Sequence, residues 1–186
     1  MAKKNRPNPR QMLDIIRSVV EDKYIPSDQS NMVEYKTGGR IGSMRCQIDT
    51  HHEEILLCKF DQGSKNYLLF PYFQQKPGMV SMCDYLLFAE DDEELVVFSV
   101  DLKDTIDSPK QQTLLAKTFA EFILNRIKAV FWEEGFPKQV RYRQIGIKTT
   151  CRKMTTKGYD KLKYDKDDYL VLLDYHRLYT RQLMEL

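Results

Sequence analysis

The sequence predicts an α/β fold on the border with α+β: a central mixed sheet containing an antiparallel meander, flanked by helices. Three observations carry this. Helical periodicity behind a proline-marked start occurs twice, over residues 9–24 and 109–131. Between them, from 43 to 103, lie short aromatic and β-branched runs separated by turn residues. Two further runs of this kind, 140–149 and 168–175, follow the second helix. With 186 residues, 42% of them hydrophobic, the chain is expected to form one domain, 1–186, burying roughly 70% of its unfolded surface without a disulfide or metal staple.

The first helix starts at Asn8-Pro9, a capping residue followed by proline at the first helical position. It sets Leu13, Ile16, Val20 and Tyr24 at helical spacing until Pro26 ends it. Met32–Tyr35 reads as a short strand and Gly38-Gly39 as a turn. Met44–Asp49, Glu54–Phe60, Asn66–Phe73, Ser81–Ala89 and Leu95–Lys103 read as the strands of the meander. The turns are Thr50–His52, Asp61–Ser64, Lys76–Gly78 and the acidic loop Glu90–Glu94. Ser108-Pro109-Lys110-Gln111 then joins an N-cap serine, a proline at N1 and a glutamine at N3, a capping box. Leu115, Phe119, Phe122, Ile123, Ile127 and Val130 are the expected core face of that helix, which Gly135-Phe136-Pro137 stops. Val140–Thr149 and Asp168–Tyr175 read as strands, and 176–186 as a short terminal helix.

No apolar run reaches the length of a membrane span, and the basic start Met1–Pro7 leads into no apolar stretch, so neither membrane nor secretion is expected. Cys46, Cys58, Cys83 and Cys151 form no Cys-x-x-Cys pair and read as reduced thiols of a cytoplasmic protein. The net charge of +2 hides a separation of signs. Residues 84–107 hold nine acids against Lys103, and 137–163 hold nine bases against Asp160. A polyanionic partner fits that asymmetry, and so do two solvated faces.

The most informative segments are Cys83-Asp84-Tyr85-Leu86-Leu87-Phe88 and Ser99-Val100-Asp101-Leu102-Lys103. Side chains alternate along a strand, so Asp101 and Lys103 share a face. A hairpin turning near Asp92 gives partner numbers summing to about 184–185 and sets Asp84 opposite Val100 or Asp101. Two carboxylates meeting across a ladder repel unless a cation lies between them, and hard divalent cations take carboxylate oxygens. Lys103 would then stand beside that cation as a fixed positive charge. The acid-x-lysine tripeptide recurs at Glu21-Asp22-Lys23, so its context gives it meaning: the end of an apolar strand, after Asp84 and before a capped helix.

In that context the segment resembles the PD-(D/E)XK nuclease superfamily, to which restriction endonucleases and Holliday-junction resolvases belong. The resemblance implies a restriction-endonuclease-like α-β-β-β-α-β core over about 9–150. Its parts would be helix 9–24, strands near 66–73, 81–89 and 95–103, helix 109–131 and strand 140–149. It implies Asp84 and Asp101 as ligands of Mg²⁺ or Mn²⁺, joined by the Leu102 carbonyl, with Glu21 as the first-helix ligand. It also implies Lys103 as the catalytic lysine and Gln111 (or Gln112) as the glutamine found in some branches. Cys83 stands where many members have proline. The implied function is metal-dependent hydrolysis of phosphodiester bonds in nucleic acid, DNA ahead of RNA, by an enzyme that could act as a homodimer.

The basic stretch supplies candidates for holding the backbone: Lys138, Arg141, Arg143, Lys148, Arg152 and Lys153. Tyr142 and Tyr159 lie among them, fit to stack or to pack. The rival expectation is a non-catalytic module binding nucleic acid or protein on a degenerate nuclease-like fold. Asp101 and Lys103 would then be an ordinary strand pair and Gln111 only a capping glutamine. His51 and His52 are adjacent in a turn and cannot chelate one ion as strand neighbours.

Overall fold

The computed structural model describes residues 9–35, 43–61, 69–74, 76, 78–91, 94–103, 110–131, 139–148, 162–173 and 175–186. The predicted α/β class is present, built as two mixed sheets with three helices. In chain order the elements are α1 (Pro9–Val19), β1 (Asn31–Tyr35), β2 (Ser43–Asp49), β3 (Ile55–Cys58), β4 (Tyr85–Asp91) and β5 (Glu94–Lys103). They continue with α2 (Lys110–Phe131), β6 (Val140–Lys148), β7 (Tyr169–Leu173), β8 (Arg177–Tyr179) and α3 (Thr180–Glu185). The larger sheet runs β3-β4-β5-β6-β7, antiparallel through β5 and parallel from β5 onward. The smaller runs β1-β2-β8, antiparallel and then parallel.

The sequence of β5, ELVVFSVDLK, explains its central place: an almost unbroken apolar strand must be covered on both faces. Leu95 and Val97 face Met12 and Ile16 of α1 and Ala116, Ala120 and Leu124 of α2. Val96, Phe98, Val100 and Leu102 face the other way, toward Met32, Ile48, Leu178 and Leu183 of the smaller sheet and α3. Burying a side chain such as Phe98 contributes about 1.5–3 kcal/mol. Tyr85 joins the two sheets, its hydroxyl donating to the Val33 carbonyl and accepting from the Val33 amide, each at 2.8 Å.

Several expectations change. Residues 69–73 of the run read as a strand at Asn66–Phe73 form turns, closed by the Phe73 amide donating to the Phe70 carbonyl at 3.0 Å. Pro71 lacks a backbone amide N–H, which disfavours a ladder through these residues. The strand beside β4 is instead β3. One meander was expected from 43 to 103, but β2 leaves it to pair with β1 and β8 in a second sheet. Helix α1 stops at Val19 and a separate 3-10 turn covers Asp22–Tyr24. The C-terminal helix is preceded by β8.

The core face of α2 also differs. Thr113, Ala116, Ala120, Leu124 and Ile127 are buried, whereas Phe122 and Val130 are exposed. Small residues let the helix axis approach the sheet, so the bulky neighbours are displaced to its flank. The expected turn Gly38-Gly39, the cap Ser108-Pro109 and the stop Gly135–Pro137 lie outside the described residues.

Tyr85→Phe removes the clamp between the sheets and leaves both polar groups of Val33 without it. Urea denaturation is expected to show a loss of about 1–3 kcal/mol.

Candidate metal centre

The β4–β5 register pairs Tyr85 with Val100, and partner numbers sum to 185 along the whole ladder. Asp84 stands one residue before β4 and so falls opposite Asp101. Both are buried, Asp101 completely and Asp84 to 5% exposure. Asp84 Oδ2 accepts the Leu102 backbone amide at 2.6 Å. Neither Asp101 oxygen has a hydrogen-bond partner. The Lys103 ammonium stands 3.3 Å from Asp101 Oδ2, its side chain about one-third exposed. The site is therefore a buried pair of carboxylates with one cation at its rim.

The electrostatics follow from burial. Desolvation and the charge of Asp101 push the Asp84 carboxyl up to about 8. Burial lifts Asp101 to about 6 against the pull of Lys103. Glu34 also raises Asp84, and Lys59, which its burial lowers, is raised overall by Tyr85 and Glu34, with Asp84 the smallest contributor. Glu34 and Lys59 pair at 3.5 Å beside Tyr85. Nothing in the local sequence of β1 marked Glu34 as a neighbour, because only the docking of the second sheet brings it there.

A second polar group missed from sequence lies on the α2 side of the larger sheet. Thr113 donates to Gln144 Oε1 at 3.0 Å, and Gln144 Nε2 donates to the Asp167 carbonyl at 2.7 Å. Both side chains are buried. Gln144 interrupts the apolar half of β6, the one signal that could have drawn attention to it. Across the β5–β6 ladder Gly146 pairs with Asp101, and Lys148 pairs with Lys103.

The other expected site residues are dispersed. Glu21 is exposed, pairs with Lys23 at 2.6 Å, and borders a groove with Val130 and Phe131 at the far end of α2. That helix returns from the carboxylate end of β5, so Glu21 is not assembled with Asp84. Gln111 is exposed with its amide against Gly78, and no hydrogen bond joins it to either carboxylate among the described residues. Leu102 meets Asp84 through its amide.

Arg141 and Arg143 do not line a backbone track with the carboxylates. They alternate with Gln144 and share a sheet face with Ile145 and Ile147, on the side away from Asp101. Arg141 pairs with Glu94 at 3.1 Å and donates to the Met184 carbonyl at 2.9 Å. Arg143 pairs with Asp168 and lies over the Tyr164 ring at 4.6 Å. Both serve internal packing. Lys138, Arg152 and Lys153 lie outside the described residues.

Among the described residues no group of three or more His, Cys, Asp or Glu side chains could hold a metal. A Mg²⁺-like ion does not require three, since it commonly takes one or two carboxylates and keeps several waters. Asp101, whose Oδ1 has no hydrogen bond and whose Oδ2 has only the ion pair with Lys103, fits that donor chemistry. The thiols do not compete: Cys46 and Cys58 are pushed up to about 12 by burial, and Cys83 is raised well above its ordinary value by burial and both aspartates. No described helix is long and apolar enough to cross a membrane. No family model matches the chain, and neither a curated protein nor a solved structure matches it.

Both aspartates hold protons more tightly folded than unfolded. The unfolded chain therefore releases its protons first, from about pH 4 upward, and the pair costs increasing stability as pH rises, through about 6 where Asp101 ionises and on through about 8 where Asp84 does. Asp101→Asn removes one charge while Lys103 can still reach water. In metal-free buffer it is expected to gain about 1–2 kcal/mol at pH 8 and much less near pH 5; an equal gain at both would contradict this account. Arg143→Ala is expected to cost about 1–2 kcal/mol through lost packing on Tyr164 and its ion pair, read by urea denaturation.

Proposed function

We propose that this chain is a metal-dependent nuclease of the PD-(D/E)XK kind, hydrolysing phosphodiester bonds in nucleic acid, DNA ahead of RNA. The observation that carries the reading is the buried, facing pair Asp84–Asp101, like-charged groups with a single ammonium, that of Lys103, paired to Asp101 at their rim. A protein gains nothing for folding by facing two desolvated carboxylates. The arrangement is accounted for if a divalent cation neutralises them. The order α1-β1-β2-β3-β4-β5-α2-β6, with β5 and β6 parallel, contains the α-β-β-β-α-β succession with β1 and β2 inserted after α1, and supports the same reading.

In this reading Asp84 and Asp101 hold Mg²⁺ or Mn²⁺ with water in the remaining positions. The ion supplies a lowered pKa for water and neutralises charge on the phosphate. Lys103, anchored by Asp101 and open to solvent, orients the attacking water and stabilises the charge that develops on the phosphoryl oxygens. Lys148, beside Lys103 in the ladder, holds the backbone, together with Lys138, Arg152 and Lys153 of the basic stretch. The buried free thiols suit a reducing, cytoplasmic setting.

One observation favours the non-catalytic alternative. Asp84 already satisfies one oxygen on the Leu102 amide, and Lys103 is paired with Asp101. A degenerate site kept as a binding scaffold would look the same.

Cleavage of single-stranded DNA, duplex DNA and RNA with Mg²⁺, Mn²⁺ or EDTA separates the two. Cutting should require metal and fall by at least about 100-fold in Lys103→Ala and in Asp101→Ala. Metal alone should stabilise the wild type by about 2.7 kcal/mol at a hundred times its Kd, and Asp101→Asn far less. Intact substrate with a folded, metal-insensitive protein would transfer the reading to the binding module.

A further inference from the structure

The turns between β3 and β4 carry the most exposed aromatic ring among the described residues. Tyr72 is 95% exposed and its neighbour Phe73 49%. The tip is anchored on both sides. Before it, Phe70 packs edge-on against Phe119 of α2 at 5.4 Å, and Phe119 against Phe60 at 5.0 Å. After it, successive turns bring the chain back: the Lys76 amide donates to the Gln74 carbonyl at 2.7 Å, and the Met79 amide to the Lys76 carbonyl at 3.1 Å. Gly78, at φ 85° where a side chain would be strained, lies against the Gln111 amide in the first turn of α2. Ser81, Met82 and Cys83 then lead directly into Asp84. One segment thus carries both the exposed rings and the first carboxylate.

Isolated exposed apolar side chains are ordinary, and charge is what sets this segment apart. Residues 62–83 contain Lys65 and Lys76 and no acid, where the composition of the chain, 27 acids in 186 residues, would place about three. Lys76 is exposed, and no carboxylate pairs with it among the described residues. Tyr142, the ring of the basic stretch expected to stack or to pack, is by contrast partly buried, with the Lys117 ammonium over it at 5.4 Å.

We propose that Tyr72 and Phe73, with Lys76 behind them, are a stacking platform for unpaired bases, so that the nucleic acid this chain takes is single-stranded where it meets the protein. The inference deepens the nuclease reading and rests on its claim that the ligand is nucleic acid. A base within a duplex has both faces covered by its neighbours, so only an unpaired base can use a ring that stands free. Every base offers such a face, which makes the contact tolerant of sequence. Lys76, without a carboxylate partner, is available to neutralise a phosphate of the same strand. A tip free of acids meets that polyanion without repulsion.

Fluorescence anisotropy of the full chain with labelled single-stranded DNA, single-stranded RNA and duplex DNA of about 20 nucleotides, in EDTA so that nothing is cut, tests it. The wild type should prefer a single strand, DNA or RNA, over duplex. Tyr72→Ala, with an unchanged melting temperature, should weaken single-strand binding at least about fivefold and duplex binding by less than about twofold. Tyr72→Trp should retain the wild-type affinity. Lys76→Ala should flatten the dependence of log K on log salt by about 0.7. Single-strand affinity indifferent to Tyr72→Ala overturns the proposal, as does an equal loss in Tyr72→Trp or a preference for duplex, and metal-dependent cutting would then still stand on its own evidence. Single-strand binding through Tyr72 by a protein that cuts nothing upholds the platform and overturns the nuclease. A chain that binds no nucleic acid overturns both.

Discussion

Strand β5 is covered on both faces and hydrogen-bonded along both edges, and the other elements are arranged around that constraint. Its eight buried residues leave no side on which a polar group can meet water. Each face therefore needs its own cover, which is why the described residues form two apolar clusters and two sheets. Helices α1 and α2 supply one layer. The smaller sheet and α3 supply the other. Tyr85 pins the second layer to the first at the end of the strand where the charged residues begin.

Against that background Asp101 is the exception. It lies in a strand that otherwise buries apolar or hydrogen-bonded groups, with only the ion pair from the rim lysine Lys103 to its oxygens. Its neighbour Asp84 carries the same sign, and burial raises both carboxyls toward neutrality. Local destabilisation of this kind, on a rigid strand and beside a lysine, is what binding a cation would relieve. Rigidity matters here as much as charge: two carboxylates held by a ladder present a fixed separation, which a loop would not.

The separation of charge along the chain has two different origins in space. Arg141 and Arg143, counted in the basic stretch, are tied to Glu94, Asp168 and the ring of Tyr164. Lys110 bridges Asp165 and Asp167, and Asp165 in turn accepts the amides of Asp167 and Tyr169. Part of the apparent polarity is thus internal neutralisation between elements distant in sequence. Lys103 and Lys148, paired on neighbouring parallel strands, are the basic residues of the described chain that the ladder places on the carboxylate side.

The elements whose pattern is local were legible in the sequence. Periodicity located α2, and the hairpin arithmetic placed Asp84 against Asp101 because a short turn between two strands determines their register. Pairing over longer distances was not legible. Ile55–Cys58 and 69–73 are both short apolar or aromatic runs, and Pro71, which lacks a backbone amide N–H, lies in the one that forms turns. Nor could spacing alone show that α2 would set Ala116 and Ala120 on the sheet and leave Phe122 outside. Either stripe is helical in period, and the close approach of a helix to a covered sheet selects the smaller side chains. The sequence by itself determined the α/β class, the two helices and the facing aspartates, all properties of neighbouring residues. Tertiary structure decided that Glu21 stands apart, that Arg141 and Arg143 turn inward and that Glu34 comes near. These depend on which face of β5 each distant segment covers, and only packing sets that.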